Sequence, residues 1–315
     1  CLPIDRDEHI ITLAEGCTPI LAITIDGVPV MVKQEQLFPT GSYKDRGAAV
    51  LMSKVRELGI SHVVQDASGN AGCAMAAYAA AAAVGCEIFV PELTSPAKLL
   101  QIEAYGARLH KIPGERQAAA EAALAASRTS YYASHVWNPF FLHGTKTFAY
   151  EVWEQLAGRI PDAIVVPVGN GTLLLGAFIG FTELLEMNLI ERMPRLFGVQ
   201  AASCAPLYHS WSTGRTTAAA VVAATPTPAE GIAIARPVRG AQILAAVKAS
   251  GGEMVAVDDD CIRRAWREMA QKGFYIEPTA AAAIAGVQEI LKTWDDSKTV
   301  LTAFTGHGLK CNKPV

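Results

Sequence analysis

The amino-acid sequence predicts an α/β fold built from parallel sheets with helices on both faces. Two observations lead there. Short β-branched or aromatic runs alternate with longer alanine-rich or amphipathic stretches along most of the 315 residues, the order expected when parallel strands are joined by crossover helices. Residues suited to ligand binding also fall just after several of those runs, where loops leave the carboxyl ends of parallel strands.

The strand candidates are 62–65, 87–90, 163–168, 196–200, 254–257 and 299–304, each a short apolar run of the kind that is buried in a sheet. Between them the helix candidates are 71–84, 96–105, 115–127, 147–157, 172–187, 261–272 and 279–291. No internal repeat of fixed period is present. The tract 212–239, rich in Thr, Ala, Pro and Gly, lacks clear periodicity and reads as a long loop near a ligand site, with Glu230-Gly231-Ile232 as a turn within it.

Composition sets the class. With 27 Lys+Arg against 30 Asp+Glu the net charge is −3, which argues against a nucleic-acid or anionic-membrane binder. The 51% hydrophobic and 18% charged residues suffice for a large core, and the length suggests about two domains. The longest apolar run, 74–84, is far shorter than the roughly 20 residues that cross a bilayer, and no secretory leader is expected. Seven cysteines, at 1, 17, 73, 86, 204, 261 and 311, are scattered without a C-x-x-C pair. They read as reduced thiols of a cytoplasmic protein with neither a disulfide framework nor a metal site.

Four loops carry chemistry. In Phe38-Pro39-Thr40-Gly41-Ser42-Tyr43-Lys44-Asp45-Arg46-Gly47 a lysine stands between turn residues and the start of a helical pattern. Desolvation there would disfavour its ammonium form and make a nucleophilic amine; on this segment alone a surface lysine paired with Asp45 is the plainer reading. Asp66-Ala67-Ser68-Gly69-Asn70-Ala71-Gly72 follows a strand and opens a helix, offering backbone N–H groups to an anion and the Asn70 amide to an acidic oxygen. Val168-Gly169-Asn170-Gly171-Thr172 repeats the arrangement and suits a phosphate. Thr305-Gly306-His307-Gly308-Leu309-Lys310 follows the last strand, where the Thr305 hydroxyl suits a heterocyclic nitrogen and His307 reads as either a base or a structural residue. Singly, each loop is also an ordinary helix cap or turn. Together they match what pyridoxal 5′-phosphate needs at its aldehyde, O3′, phosphate and ring nitrogen. The glycine spacing departs from G-x-G-x-x-G with an acidic residue about 20 positions on, which sets aside a nicotinamide-dinucleotide enzyme.

On these motifs the chain resembles the fold-type II pyridoxal-phosphate enzymes. The likeness runs from Glu15-Gly16-Cys17-Thr18-Pro19 through the Lys44 loop, the Ser68 loop and the Gly169 loop to the Thr305 loop. The last of these, with Asn138 to Thr147 (NPFFLHGTKT) and Glu277 to Gly286 (EPTAAAAIAG), is most similar to the threonine synthases of that family. The resemblance implies two parallel-sheet domains with the cofactor between them: 1–47 and 144–315 as a large cofactor-binding domain, 48–143 as a smaller mobile domain that closes over substrate. It implies that Lys44 binds the cofactor covalently and moves protons at the substrate Cα. Asn70 meets O3′, Gly169, Asn170, Gly171 and Thr172 hold the phosphate, Thr305 meets the ring nitrogen, and Ser68, Gly69, Asn70 and Ala71 receive the substrate carboxylate. The implied protein is a cytoplasmic homodimer acting on a small amino acid, with no nucleic acid, membrane or metal involved.

Two positions depart from threonine synthases, which commonly carry threonine where this chain has Ala71 and a phosphate-binding arginine where it has Phe141. A buried phosphate dianion without paired charge is costly. Lys146 and Lys98 are nearby substitutes by sequence, although long charged side chains are usually exposed. The expected activity is therefore threonine synthase-like elimination or replacement on O-phosphohomoserine or a related substrate. The rivals are a threonine, serine or diaminopropionate ammonia-lyase and a catalytically silent regulatory protein of the same fold.

Overall fold

The computed structural model describes residues 2–67, 69–92, 94, 96–114, 116–218, 226–295 and 297–311. It opens on a hairpin absent from the expected elements: β1 (Ile20–Ile25) pairs antiparallel with β2 (Val28–Lys33), Ile25 facing Val28. The two residues between them, Asp26 and Gly27, both have positive φ (48° and 85°), the conformation that lets a two-residue turn follow the twist of its strands. The chain then runs through α1 (Lys44–Glu57), β3 (His62–Gln65), α2 (Asn70–Ala81), β4 (Gly85–Pro91), α3 (Pro96–Ala104), β5 (Arg108–Ile112), α4 (Arg116–Ala126), β6 (Tyr131–Tyr132) and α5 (Pro139–Thr145). These four strands form one sheet in the order β5-β4-β3-β6, with every pair parallel.

The second half continues with α6 (Thr147–Gln155), β7 (Ala163–Pro167), α7 (Thr172–Glu186), β8 (Arg195–Ala201), α8 (Pro206–Ser212), α9 (Gly240–Ala249), β9 (Met254–Val257), α10 (Asp259–Gln271), α11 (Pro278–Leu291) and β10 (Val300–Ala303). Its six-stranded sheet has the order β1-β2-β10-β7-β8-β9, parallel except for the edge strand β1. Helix and strand thus alternate as expected, and the ends of the expected elements shift by a few residues.

The chain divides into two units, each with its own sheet. One takes residues up to Gly16, Phe38–Thr145 and residues 310–311; the other takes Cys17–Leu37 and Lys146–Leu309. The division falls at Phe38 rather than at the expected 48, so the Lys44 loop and all of α1 go with the smaller unit. Packing explains the difference. A Cβ on Gly144 of α5 would run into the backbone of Arg46 and Gly47, and a Cβ on Gly47 would run into the Phe141 ring. The first turn of α1 is therefore locked against α5 inside that unit. Its core gathers Leu51, Met52, Val63, Met75, Tyr78, Ile88, Ile102 and Phe141. The other unit packs α11 and α10 on its sheet through Val165, Val199, Trp266, Ile284 and Phe304. There the fully buried Lys33 ammonium is balanced by Glu151 at 2.9 Å and by Thr18 O and Gln155 Oε1.

Gly144→Ala should destabilise the protein by about 1–3 kcal/mol or more, the cost of forcing extra volume into close packing. A denaturant midpoint equal to wild type would show that the two helices can part without loss.

Candidate active site

In the first unit the lysine loop is a tight construction. Gly41 (φ 81°) closes a turn by donating its N–H to Phe38 O at 2.8 Å, and Lys44 opens α1. The half-buried Lys44 Nζ lies 3.7 Å from the centre of the Tyr43 ring and contacts the Tyr43 hydroxyl. Ser42 is fully buried, and its hydroxyl has no hydrogen-bond partner among the described residues. Asp45 is fully buried and turns its carboxylate to Thr40, accepting the N–H at 2.8 Å and the hydroxyl as well, rather than pairing with Lys44. Burial pushes the Asp45 carboxyl up to about 6, against the pull of the Thr40 hydrogen bonds and the Lys310 ammonium.

The second loop of this unit lies at the end of β3. Gly69 precedes the first turn of α2 in extended conformation (φ −117°, ψ −150°), and Asn70 begins the helix half-buried. A Cβ on Gly72 would strike Ala67 O, so this glycine is what allows the loop to fold back on the helix. Ala71 is buried in the helix; Ser68 lies outside the described residues. Beside the loop, the Tyr132 hydroxyl donates to Asp66, and Gln65 Nε2 lies 3.0 Å from His135 Nδ1.

In the second unit, β7 and β10 are in-register neighbours (Val300 with Ala163, Thr302 with Val165). The loops after them leave the same end of the sheet. Gly171 (φ 72°) precedes α7 in the left-handed conformation, and a Cβ there would run into Ile243. A Cβ on Gly169 would come within 2.9–3.1 Å of Ile234, Gly231 and Ile232, so residues 230–232, a short 3-10 turn, pack on this loop, with Gly231 N–H donating to Thr279 Oγ1 at 3.0 Å. The remainder of that tract, 219–225, lies outside the described residues. Asn170 is half-buried and Thr172 buried. Thr305, 3% exposed, keeps its hydroxyl without a partner among the described residues. His307 forms a β-bridge with Ile276 through its backbone and accepts Leu309 N–H at Nδ1, 3.1 Å.

Three further expectations resolve differently. Phe141 is a core residue, wholly buried and edge-on to His135 at 6.0 Å. Lys146 is 1% exposed, not a surface side chain: its ammonium meets Glu183 at 2.7 Å, and Tyr150 donates to the same carboxylate. These contacts hold Glu183 below the usual carboxylate range although burial works the other way. Lys98 is half-buried in α3. Thr40, Ser42 and Lys310, which help build the lysine loop, were not singled out by sequence, where only their places in the motifs marked them, and Asp45 was read only as a partner for Lys44.

Residues 11–306 match the family described as pyridoxal-phosphate dependent enzyme. The chain belongs to that family. It is 33% identical to the threonine synthase of Methanocaldococcus jannaschii, over 98% of this chain and 78% of that protein. With the threonine synthase of Mycobacterium bovis the identity is 34% over 98% of this chain and 86% of that one. In fold it is similar to maize serine racemase (TM-score 0.80, 20% identity, 92% of this chain and 88% of that one). A serine racemase from Dictyostelium discoideum is similar as well (TM-score 0.78, 25% identity, 95% and 93%). The protein is a pyridoxal-phosphate-dependent lyase of fold type II, and among the described residues no helix is long and apolar enough to cross a membrane.

The residues present fit pyridoxal 5′-phosphate. Among the described residues, the loop that carries the Lys44 amine also carries the orphaned buried hydroxyl of Ser42; the other unit has a glycine at the start of α7 and a second orphaned hydroxyl, that of Thr305, after the neighbouring strand β10. Unpartnered buried hydroxyls of this kind are expected where a ligand atom completes the bonding.

The Asp45 carboxyl yields a pH test. Its folded value of about 6 stands above the ordinary 3.8, so the folded state binds the proton more tightly than the unfolded one. The stability this contributes is complete below about pH 4 and is lost as pH rises through about 6, an amplitude on the order of 2–3 kcal/mol. Asp45→Asn, which keeps an acceptor and a donor for Thr40, should remove that slope. Parallel stability curves for the two proteins between pH 4 and 7 would contradict it.

Proposed function

We propose that the enzyme catalyses threonine synthase-like elimination or replacement on a small amino acid that carries no phosphate. Relatives named threonine synthase, matched over 98% of the chain, support the reaction class. The observation that carries the substrate reading is Phe141. Where those enzymes commonly place an arginine, this side chain is wholly buried against Gly47 and His135. An apolar ring offers a phosphate dianion nothing, whereas an arginine there would offer a charge-assisted contact worth about 1.5–3 kcal/mol. The same observation favours, as a second reading, an ammonia-lyase acting on serine, threonine or diaminopropionate. Lys146, one candidate to replace the arginine, is already committed to Glu183.

When bound, the cofactor supplies an electron sink for charge developing at the substrate Cα. Lys44 would hold the cofactor covalently and, as a free amine, would accept the substrate α-proton. The N–H groups of Gly69, Asn70 and Ala71 would receive the substrate carboxylate, and the Asn70 amide would serve the cofactor O3′. Gly169, Asn170, Gly171 and Thr172 would hold the cofactor phosphate at the start of α7. The Thr305 hydroxyl would serve the ring nitrogen. The setting is cytoplasmic, in keeping with free thiols at Cys17, Cys73, Cys86, Cys204, Cys261 and Cys311, and the working form is a homodimer.

Borohydride reduction of the loaded enzyme followed by peptide mapping should place the pyridoxyl group on Lys44, and Lys44→Ala should fold without turning over. Labelling of a different lysine overturns the assignment. Thr305→Val should weaken cofactor binding by about 0.5–1.5 kcal/mol, the net value of a neutral hydrogen bond; an unchanged dissociation constant removes the role given to that hydroxyl. Substrates decide the rest. In a screen of O-phosphohomoserine, serine, threonine and diaminopropionate, phosphate release should be poor and one of the smaller amino acids should react better. Efficient threonine formation from O-phosphohomoserine would refute the substrate reading.

A further inference from the structure

The C-terminal motif contains a residue that the reading above leaves without a task. Lys310 is 8% exposed, and its ammonium donates to Thr40 O at 2.7 Å. That carbonyl also accepts Gln101 Nε2 at 3.2 Å, while the N–H and hydroxyl of Thr40 both go to Asp45. Every polar atom of Thr40 is thus engaged, in a residue only 2% exposed. The consequence is geometric. Thr40 and Asp45 are tied directly to each other, and the chain between them holds just four residues, Gly41, Ser42, Tyr43 and Lys44. Residues 40–45 form a closed ring whose one external cationic anchor, among the described residues, is Lys310, and Lys44 projects from that ring.

We infer that Asp45 and Lys310 are positioning residues for Lys44: through Thr40 they fix the ring that sets where the Lys44 amine stands and how its surroundings favour its charge. The inference rests on the reading of Lys44 as the cofactor-bearing lysine. A simple helix start does not require the arrangement. Asp45 N–H already bonds Ser42 O at 3.3 Å, and Arg46 N–H bonds Tyr43 O at 3.2 Å, so the first turn of α1 is made without either side chain. Burying a carboxylate and an ammonium is costly unless they are hydrogen-bonded, and among the described residues the bonds of Asp45 and Lys310 converge on Thr40, four residues before Lys44. The charges facing Asp45 come from several elements. Lys310 steadies its anion, while Glu15, which accepts the Tyr78 hydroxyl at 2.8 Å, opposes it. Arg46, the next residue, lies 4.9 Å from the Phe38 ring centre.

The test uses cofactor-free protein and competitive acetylation by acetic anhydride across a pH series, with each lysine read by mass spectrometry. Lys54, further along α1, and the exposed Lys292 serve as internal references. In Lys310→Met and in Asp45→Asn the Lys44 rate should change by about threefold or more, with both reference lysines unchanged. Lys310→Arg should restore it. Should Lys310→Met lack a cooperative melt, Lys310→Gln, which keeps a donor and loses the charge, takes its place in the same comparison. Two results overturn the inference: a Lys44 profile identical to wild type in folded variants, or a change shared by Lys54, which would mark general loosening of the helix. Because no cofactor is present, the outcome is separable from the functional reading. If borohydride trapping labels another lysine while Lys44 still responds to residue 310, the positioning pair stands and the assignment of the reactive lysine falls.

Discussion

The close approach of α5 to the first turn of α1 is the constraint on which much of the smaller unit depends. It needs two glycines, Gly47 and Gly144, because a Cβ on either would overlap a ring or a backbone. Once the helices lie that close, the space beside Gly47 has to be filled by a flat apolar group, and Phe141 fills it. A question about substrate and a question about packing then have one answer. An arginine at 141 would have to keep its guanidinium hydrated or paired, and the site it would enter is lined by Gly47 and the edge of His135. On the proposed reading, the absence of an arginine at 141 is therefore tied to the way the lysine-bearing helix is seated.

Much of the fold could be read from the chain because its central strands are uninterrupted apolar runs. Residues 163–167 are buried at every position, as a strand covered on both faces must be. The elements that escaped did so for different reasons. The hairpin strand β1 is itself an apolar run, Ile-Leu-Ala-Ile-Thr-Ile, although only Ile25 of it is buried, and Asp26-Gly27 between two such runs is the turn signal that could have found it. The edge strand β5, Arg-Leu-His-Lys-Ile, carries the charges that protect an edge, and these hide it from a search for apolar runs. The boundary between units moved for a different reason: it is set by which helix packs on which, and such long-range contacts leave no local mark at Phe38.

Candidate site residues were legible where loops follow strands, since Gly, Asn and Thr at those places limit what the backbone can do. Desolvation was not legible. Lys146 looks like a surface lysine in sequence, yet the Glu183 carboxylate, more than thirty residues away in the chain and itself bonded by Tyr150, pairs with its charge out of water. Asp45 looks like a partner for its neighbour Lys44, yet adjacent residues at the start of a helix do not face one another, and the carboxylate turns back to Thr40 instead. In both cases the side chain's chemistry was plain and its partner was not.

The two orphaned hydroxyls bear on the kind of chemistry the enzyme supports. A buried hydroxyl without a partner costs about 1–3 kcal/mol, and among the described residues each unit keeps one, Ser42 and Thr305. Such a cost is tolerable where a ligand completes the bond. At Thr305 the identity of the donor matters as much as its presence. A hydroxyl can donate to a ring nitrogen that has no proton, whereas a carboxylate would require that nitrogen to be protonated. With threonine at this position the proposed contact leaves the nitrogen largely neutral, and so moderates how strongly the ring withdraws electrons from Cα. A moderated electron sink holds less charge on the ring and favours prompt departure of a leaving group over transfer of the amino group. On the proposed reading Thr305 and Phe141 act together: a hydroxyl at the ring nitrogen would favour elimination over amino-group transfer, and an apolar ring at 141 would disfavour a phosphate as the group eliminated.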